Sequence, residues 1–253
     1  MPGSALTGWV LSCMLLGLRV APVFAFAPPF ALIEVPRTFR VLFGLGLSVC
    51  LVAGYPHATQ LTDTSLSGVT LAAMRELMLG TVFVLAFQLA FGALYFAGRT
   101  IDIQAGFGLA GVIDPVSQSQ MPLVGTLFAY AAAAVFFAFD GHIALLRLFA
   151  ASLDAIPLGA WTMPDSIDRI AAFASLAFVM AFGVAGATIV CLFLTDLVIA
   201  LLSRTVPQMN VLVLGFQVKT FVLLLVLPVS FGIGGALIMR LMASTLEALP
   251  GLM

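Results

Sequence analysis

Four runs of this chain, residues 77–98, 123–139, 170–195 and 221–239, contain no charged side chain. A helix needs about 20 consecutive apolar residues to cross the hydrocarbon core of a bilayer, and these runs reach or approach that length. Two weaker segments accompany them. Residues 5–33 hold Arg19 in the middle and Pro22, Pro28 and Pro29 near the end, and residues 41–53 are short for a span. Composition agrees: apolar residues make up 62% of the 253 and charged residues 8%, against about 25% charged in an average soluble domain. The linkers 54–70 and 154–169 are short and lack low-complexity character. The sequence therefore predicts a single-domain, all-α integral membrane protein. It has about six apolar helical segments in hairpins, several broken by Pro or Gly.

The breaks carry information. Non-helical backbone at membrane depth survives only where protein or a watery cavity covers it. PVFAFAPPF (22–30) is expected to interrupt a regular helix, because proline removes a donor and clashes with the preceding turn. Segment one is therefore expected to bend, with its bend facing protein. VFAFA (23–27) resembles a signal-peptide cleavage site. No positive residue precedes the apolar run, Arg19 interrupts it and Pro28 follows, so the segment is expected to be retained.

Charge placement is unusual. With an outside N-terminus, the inside loops would hold Arg37, Arg40, Arg99 and Arg204, and the outside loops Arg75, Arg147, Arg169 and Arg240. That balance does not follow the positive-inside rule, so the chain is expected to sit in the bilayer in an unusual way. Net charge is −1 and no basic cluster occurs, so neither nucleic acid nor a lipid-headgroup patch is expected.

Catalytic and metal patterns are missing from the sequence. There are two histidines: His57 lies in the polar stretch YPHATQ and His142 follows Asp140-Gly141. No His-Glu-x-x-His, Gly-x-Ser-x-Gly, Walker loop or Cys/His ligand spacing occurs. Asp165 and Asp168 sit beside Arg169 and read as a solvated helix start. Cys13, Cys50 and Cys191 are odd in number, far apart, and embedded in apolar runs, so they read as small buried hydrophobes. No enzyme activity and no cofactor or metal is expected. Arg19, Asp102, Arg147, Asp196 and Lys219 are charges at membrane depth, which are costly and face a bundle interior, a partner or water. They would serve either as a proton or ion relay in a secondary transporter or as interhelical pairs that fix assembly. Pairing is favoured, because a transporter should show repeated halves and none are visible.

QAGFGLAGVIDPVSQSQMP (104–122) occupies a place where a short polar loop would be expected. Gly106, Gly108 and Gly111 permit close approach and sharp bends, and Asp114-Pro115 favours a turn or helix start. Ser117, Gln118 and Ser119 add local hydrogen bonding. The stretch is either a small-residue packing face or an irregular cavity-filling loop with Phe107, Leu109, Val112 and Ile113 as its apolar surface.

AGRTIDIQAGFGLAGVIDPVSQSQMPLVG (97–125) resembles the signature region of the FliR family of flagellar export-gate proteins and of their injectisome relatives, the SctT proteins. Further features match in order and spacing: the Phe139–His142 turn, IPLG (156–159), SRTVPQMNVLVLGFQVK (203–219), and Arg19 with Ala21-Pro22, Val35-Pro36 and Arg40. The resemblance covers essentially the whole chain. One departure is Gln217, where the family often carries proline.

The resemblance implies a fold like one FliP-like unit (1–202) fused to one FliQ-like unit (203–253). It implies a single-copy, non-enzymatic subunit of the type III export gate, in a ring with FliP-like and FliQ-like subunits. FlhB-like and FlhA-like export proteins, membrane lipid and unfolded substrates in transit are the further implied partners. The implied location is the bacterial inner membrane at the flagellar basal body, or alternatively at an injectisome base. By this resemblance the stretch Gly106, Phe107, Gly108, Leu109, Ala110, Gly111, Val112, Ile113, Asp114 and Pro115 plugs the closed channel. Arg19, Asp102, Gln104, Asp140, Gly141, His142, Pro207, Gln208, Asn210 and Lys219 are implied as assembly or structural residues. Two rival readings are a secondary transporter using Asp102 or Asp196, and a scaffold that only nucleates the ring.

Overall fold

A computed structural model describes residues 2–59, 61, 65–107, 122–162, 167–205 and 210–253, with backbone alone at 2–5 and 211–212. Among the described residues the protein is all-α. Its helices are α1 (Pro2–Phe26), α2 (Pro28–Ala31), α3 (Arg37–Gly54), α4 (Leu66–Ala105), α5 (Leu123–Ala138), α6 (Gly141–Ala155), α7 (Asp168–Thr205) and α8 (Val211–Leu252). Five stretches, Leu6–Phe26, Arg37–Gly54, Leu66–Ala105, Asp168–Thr205 and Val213–Leu252, are long and apolar enough to cross a membrane. α5 and α6 meet that test only if the bent pair is taken as one broken span.

The helices outrun the apolar segments that announce them. α4, α7 and α8 have 40, 38 and 42 residues. At about 1.5 Å rise per residue each is about 60 Å long, roughly twice the hydrocarbon thickness of about 30 Å. All eight arginines assigned to loops from the sequence are helical instead. Arg37 and Arg40 belong to α3, Arg75 and Arg99 to α4, Arg147 to α6, Arg169 and Arg204 to α7, and Arg240 to α8. The loop-based charge count therefore does not describe this protein, because helix ends and apolar limits do not coincide.

Proline acts more locally than expected. Pro22 lies inside α1, which continues to Phe26. The break comes at Ala27, whose extended backbone (φ −69°, ψ 134°) leads into Pro28 and Pro29 of α2. That is the conformation proline imposes on its predecessor. α8 likewise runs through Pro228 and Gly232–Gly235, and through 215–218 where Gln217 departs from the family pattern.

The chain divides into two compact units. The first comprises residues 1–89, 136–173 and 243–253, and the second 90–135 and 174–242. In the first unit α1 packs on α3 and α4 through glycines. A Cβ on Gly44 would lie 2.6 Å from the Ala21 Cα, and one on Gly80 would lie 2.6 Å from the Leu18 carbonyl oxygen. The core is aromatic: Phe83 stacks on Phe149 at 4.8 Å, and Phe87 meets Phe136 edge-on at 5.6 Å. In the second unit α7 and α8 approach where Val184 lies against Gly234 and Leu237 against Gly183. The Thr188 and Ser230 hydroxyls hydrogen-bond at 2.7 Å in the same seam. A buried hydroxyl pair of this kind satisfies both groups where hydrocarbon offers no alternative.

Candidate functional site

The most developed polar construction of the second unit surrounds both ends of the 106–122 segment. α4 ends at Ala105, and Gly106 takes a left-handed φ of 91° while its N–H returns to the Ile103 carbonyl at 3.1 Å. Glycine alone adopts that conformation at no steric cost. The last carbonyls of a helix have no intrahelical donor, and the Lys219 ammonium of α8 supplies one to Gln104 at 3.1 Å. The Gln104 amide donates in turn to the Ile189 carbonyl of α7 at 3.2 Å. Lys219 also pairs with Asp196 of α7 at 2.5 Å. Three helices thus converge on two residues of the α4 terminus.

The ring of Phe107 sits edge-on to Phe216, one turn before Lys219 on α8, with centroids 6.1 Å apart. A Cβ on Gly106 would lie 3.4 Å from the same ring.

The other end of the segment is held by Asp102. Its carboxylate accepts from the Val124 N–H at 3.0 and 3.1 Å and from the Gly125 N–H at 3.2 Å. These are orphan donors in the first turn of α5. A negative charge there also meets the positive end of the helix dipole. Asp102 is 5% exposed, and the charge-assisted bonds answer its burial. Beside it α4 and α5 touch backbone to backbone: a Cβ on Gly98 would sit 2.5 Å from the Gly125 Cα.

Of the residues assigned from the resemblance, the structure gathers Asp102, Gln104, Gly106, Phe107 and Lys219 at this base. Gly108, Leu109, Ala110, Gly111, Val112, Ile113, Asp114 and Pro115 lie outside the described residues, as do Pro207 and Gln208. Asn210 caps α8, its side-chain oxygen accepting from the Val213 N–H at 3.4 Å.

The remaining assigned residues belong to the first unit. Arg19 is fully buried and bound to Glu76 through Nε–Oε2 at 2.6 Å and Nη2–Oε1 at 2.9 Å. Its other donors reach the Ser152 hydroxyl and carbonyl and the Ile156 carbonyl, and Glu76 also accepts from the Gly159 N–H. Asp140 adopts a left-handed backbone (φ 59°) at the head of α6. Gly141 lies so close to Phe136 that a Cβ would meet its ring at 2.6 Å. The His142 ring lies 5.6 Å from Phe137.

Sequence reasoning missed Glu76, Phe216 and the Gly98–Gly125 contact. Glu76 was legible in one respect: a buried Arg19 requires a carboxylate, and few acidic residues are available. Phe216 gave no signal, because one aromatic in an apolar helix looks like any other. Among the described residues no group of three or more His, Cys, Asp or Glu side chains could hold a metal.

The model of the family described as bacterial export proteins, family 1, matches residues 10–245. The flagellar biosynthetic protein FliR of Bacillus subtilis (strain 168) is 29% identical over 248 residues, 95% of this chain and 93% of that protein. FliR of Pectobacterium carotovorum is 30% identical over 222 residues, 84% of this chain and 81% of that protein. The surface presentation of antigens protein SpaR of Shigella flexneri is 25% identical over 215 residues, with 83% and 80% covered.

Proposed function

This chain belongs to the family of bacterial export proteins, family 1, and from that membership we propose that it is a subunit of a type III protein export apparatus. In the finer reading it is a single-copy member of a pore complex with FliP-like and FliQ-like subunits, in the bacterial inner membrane of a flagellar system. It lines part of a central channel for unfolded substrates, and the glycine-rich segment closes that channel at rest. FlhB-like and FlhA-like proteins complete the export machinery. Residues 1–202 correspond to the FliP-like part and 203–253 to the FliQ-like part. It performs no catalysis.

The observation that carries the reading is the paired anchoring of the 106–122 stems, by Lys219 at Gln104 and by Asp102 at Val124 and Gly125. A segment that only joined two helices would need no such cradle. A gate needs it, because a soft apolar segment seals a pore only if its ends are held in place. The engagement of Asp102 and Asp196 supports gate over transporter. Both carboxylates are committed to partners in the same chain, one capping α5 and one paired with Lys219.

The exposed apolar surface of α7 and α8, including Phe193, Leu197, Phe221 and Leu224, suits a chain that sits among partner subunits or lipid. The test is deletion of 107–112 in cells with the full export complex. Ion leak across the membrane should rise. Unchanged leak with unchanged export removes the gate reading.

A further inference from the structure

The two stems of the 106–122 segment are held by contacts of different kinds. At the α5 stem the holding groups are rigid. Asp102 is 5% exposed and takes two backbone N–H groups. The Gly98–Gly125 contact is backbone against backbone. No rotatable side chain lies between the helices there, so this stem has no low-energy way to let go.

At the α4 stem the holding groups are side chains that can rotate. Lys219 reaches the Gln104 carbonyl at 3.1 Å, and its pair with Asp196 is partly hydrated, at 19% and 42% side-chain exposure. An ion pair open to water exchanges its partner for water at small net cost. The second hold is one aromatic edge, Phe107 on Phe216, worth about 0.5–1.5 kcal/mol beyond burial in such pairs. Phe216 and Lys219 are three residues apart on α8, so they project from one face. Between stem and segment stands Gly106 at φ 91°, where the backbone pivots most freely.

Resting on the reading of 106–122 as a gate, we infer that Phe216 and Lys219 form a releasable clamp on the Gln104–Phe107 stem. Asp102 with the Gly98–Gly125 contact forms the fixed hinge on which the segment swings. Opening then begins at α8, and movement of α8 relative to α4 is what a substrate or a partner subunit must cause. Lys219 and Phe216 are positioning residues, acting on the gate without forming its seal.

The test uses cells carrying the complete export complex. Phe107→Cys and Phe216→Cys are combined with Ala at Cys13, Cys50 and Cys191, and the pair is bridged with a reducible bifunctional methanethiosulfonate. Bridging should stop export and dithiothreitol should restore it. If the bridged peptide pair is verified by mass and export continues unchanged, the clamp does not open and the inference is overturned.

Independently, Lys219→Met should raise resting ion leak several-fold, while Lys219→Arg, which keeps charge and donors, should stay near the parent. A normally accumulating Lys219→Met without leak also overturns the clamp. If Lys219→Met fails to accumulate, the bridge experiment decides, since it leaves Lys219 in place. The 107–112 deletion separates this inference from the reading beneath it. Leak on deletion with none from Lys219→Met removes the clamp and leaves the gate; no leak on deletion removes both.

Discussion

Arg19 of α1 and Glu76 of α4 form a two-pronged ion pair with no solvent exposure on either side chain. Charges buried to this degree are tolerated only when geometry and further hydrogen bonds compensate their lost hydration. Here every prong is used: Arg19 also binds Ser152 and Ile156, and Glu76 takes the Gly159 N–H. One ion pair thus ties α1, α4, α6 and the 156–159 turn.

Removing one partner should be severe. Arg19→Met or Glu76→Met strands a buried charge, a loss of about 3–5 kcal/mol in comparable cases. The double variant Arg19→Met/Glu76→Met should recover part of that loss. Recovery stays incomplete because the Ser152 and Ile156 carbonyls and the Gly159 N–H lose their partners. Thermal unfolding of the detergent-solubilised chain, with membrane accumulation as a second readout, measures the cycle.

Asp102 should behave as a helix cap with a positional consequence. Asp102→Ala leaves the Val124 and Gly125 N–H groups without acceptors, a loss of about 0.5–2 kcal/mol for such caps. Asp102→Asn retains one acceptor oxygen and should cost less. Limited proteolysis of membrane vesicles provides the readout: cleavage within 106–122 should quicken in the order parent, Asn, Ala. Equal rates in all three would mean that the cap does not restrain this stem.

Glycines at helix crossings should separate into two classes. Gly98→Ala places a methyl 2.5 Å from the Gly125 Cα, and Gly125→Ala places one 2.8 Å from the Tyr95 carbonyl oxygen. Backbone cannot step aside, so both variants should lose accumulation. Gly92 lies on the same helix with nothing within 4 Å of its would-be Cβ. Gly92→Ala should be neutral or gain up to about 1 kcal/mol from helix propensity. Immunoblots of membrane fractions distinguish the two classes.

The turn before α6 makes a further distinction. Asp140 holds a left-handed φ of 59°, a conformation that Asn and Gly tolerate and β-branched residues do not. Asp140→Gly and Asp140→Asn should retain function, whereas Asp140→Val should lose about 1–2 kcal/mol. Gly141→Ala should fail for a different reason, the Phe136 ring at 2.6 Å. Export assays alongside accumulation keep the two causes apart.

Charge-free runs located the membrane helices well, because apolar length is a property of consecutive residues. Boundaries were poorly legible: α4 begins eleven residues before the run at 77–98 and ends seven after it. Helical backbone needs only good propensity and satisfied hydrogen bonds to continue past the apolar limit, so Arg75, Glu76, Arg99 and Asp102 remain helical. α6 escaped notice because Arg147 and Asp154 interrupt its apolar pattern. Pro22 and Pro228 were overweighted. Each removes one donor, and a long packed helix tolerates that single loss.

The sequence by itself determined the solvent, the helical class and the family, since all three depend on residue types in order. It also marked Arg19, Asp102 and Lys219, because a charge in an apolar run demands an explanation wherever the chain goes. Only the tertiary structure decided their partners. Arg19 meets Glu76 57 residues away, Asp102 meets Val124 22 residues away, and Lys219 meets Gln104 115 residues away. Those distances are set by which helix faces pack together, and packing faces are chosen by the fit of glycines, rings and backbone across the seam. No run of neighbouring residues records that fit.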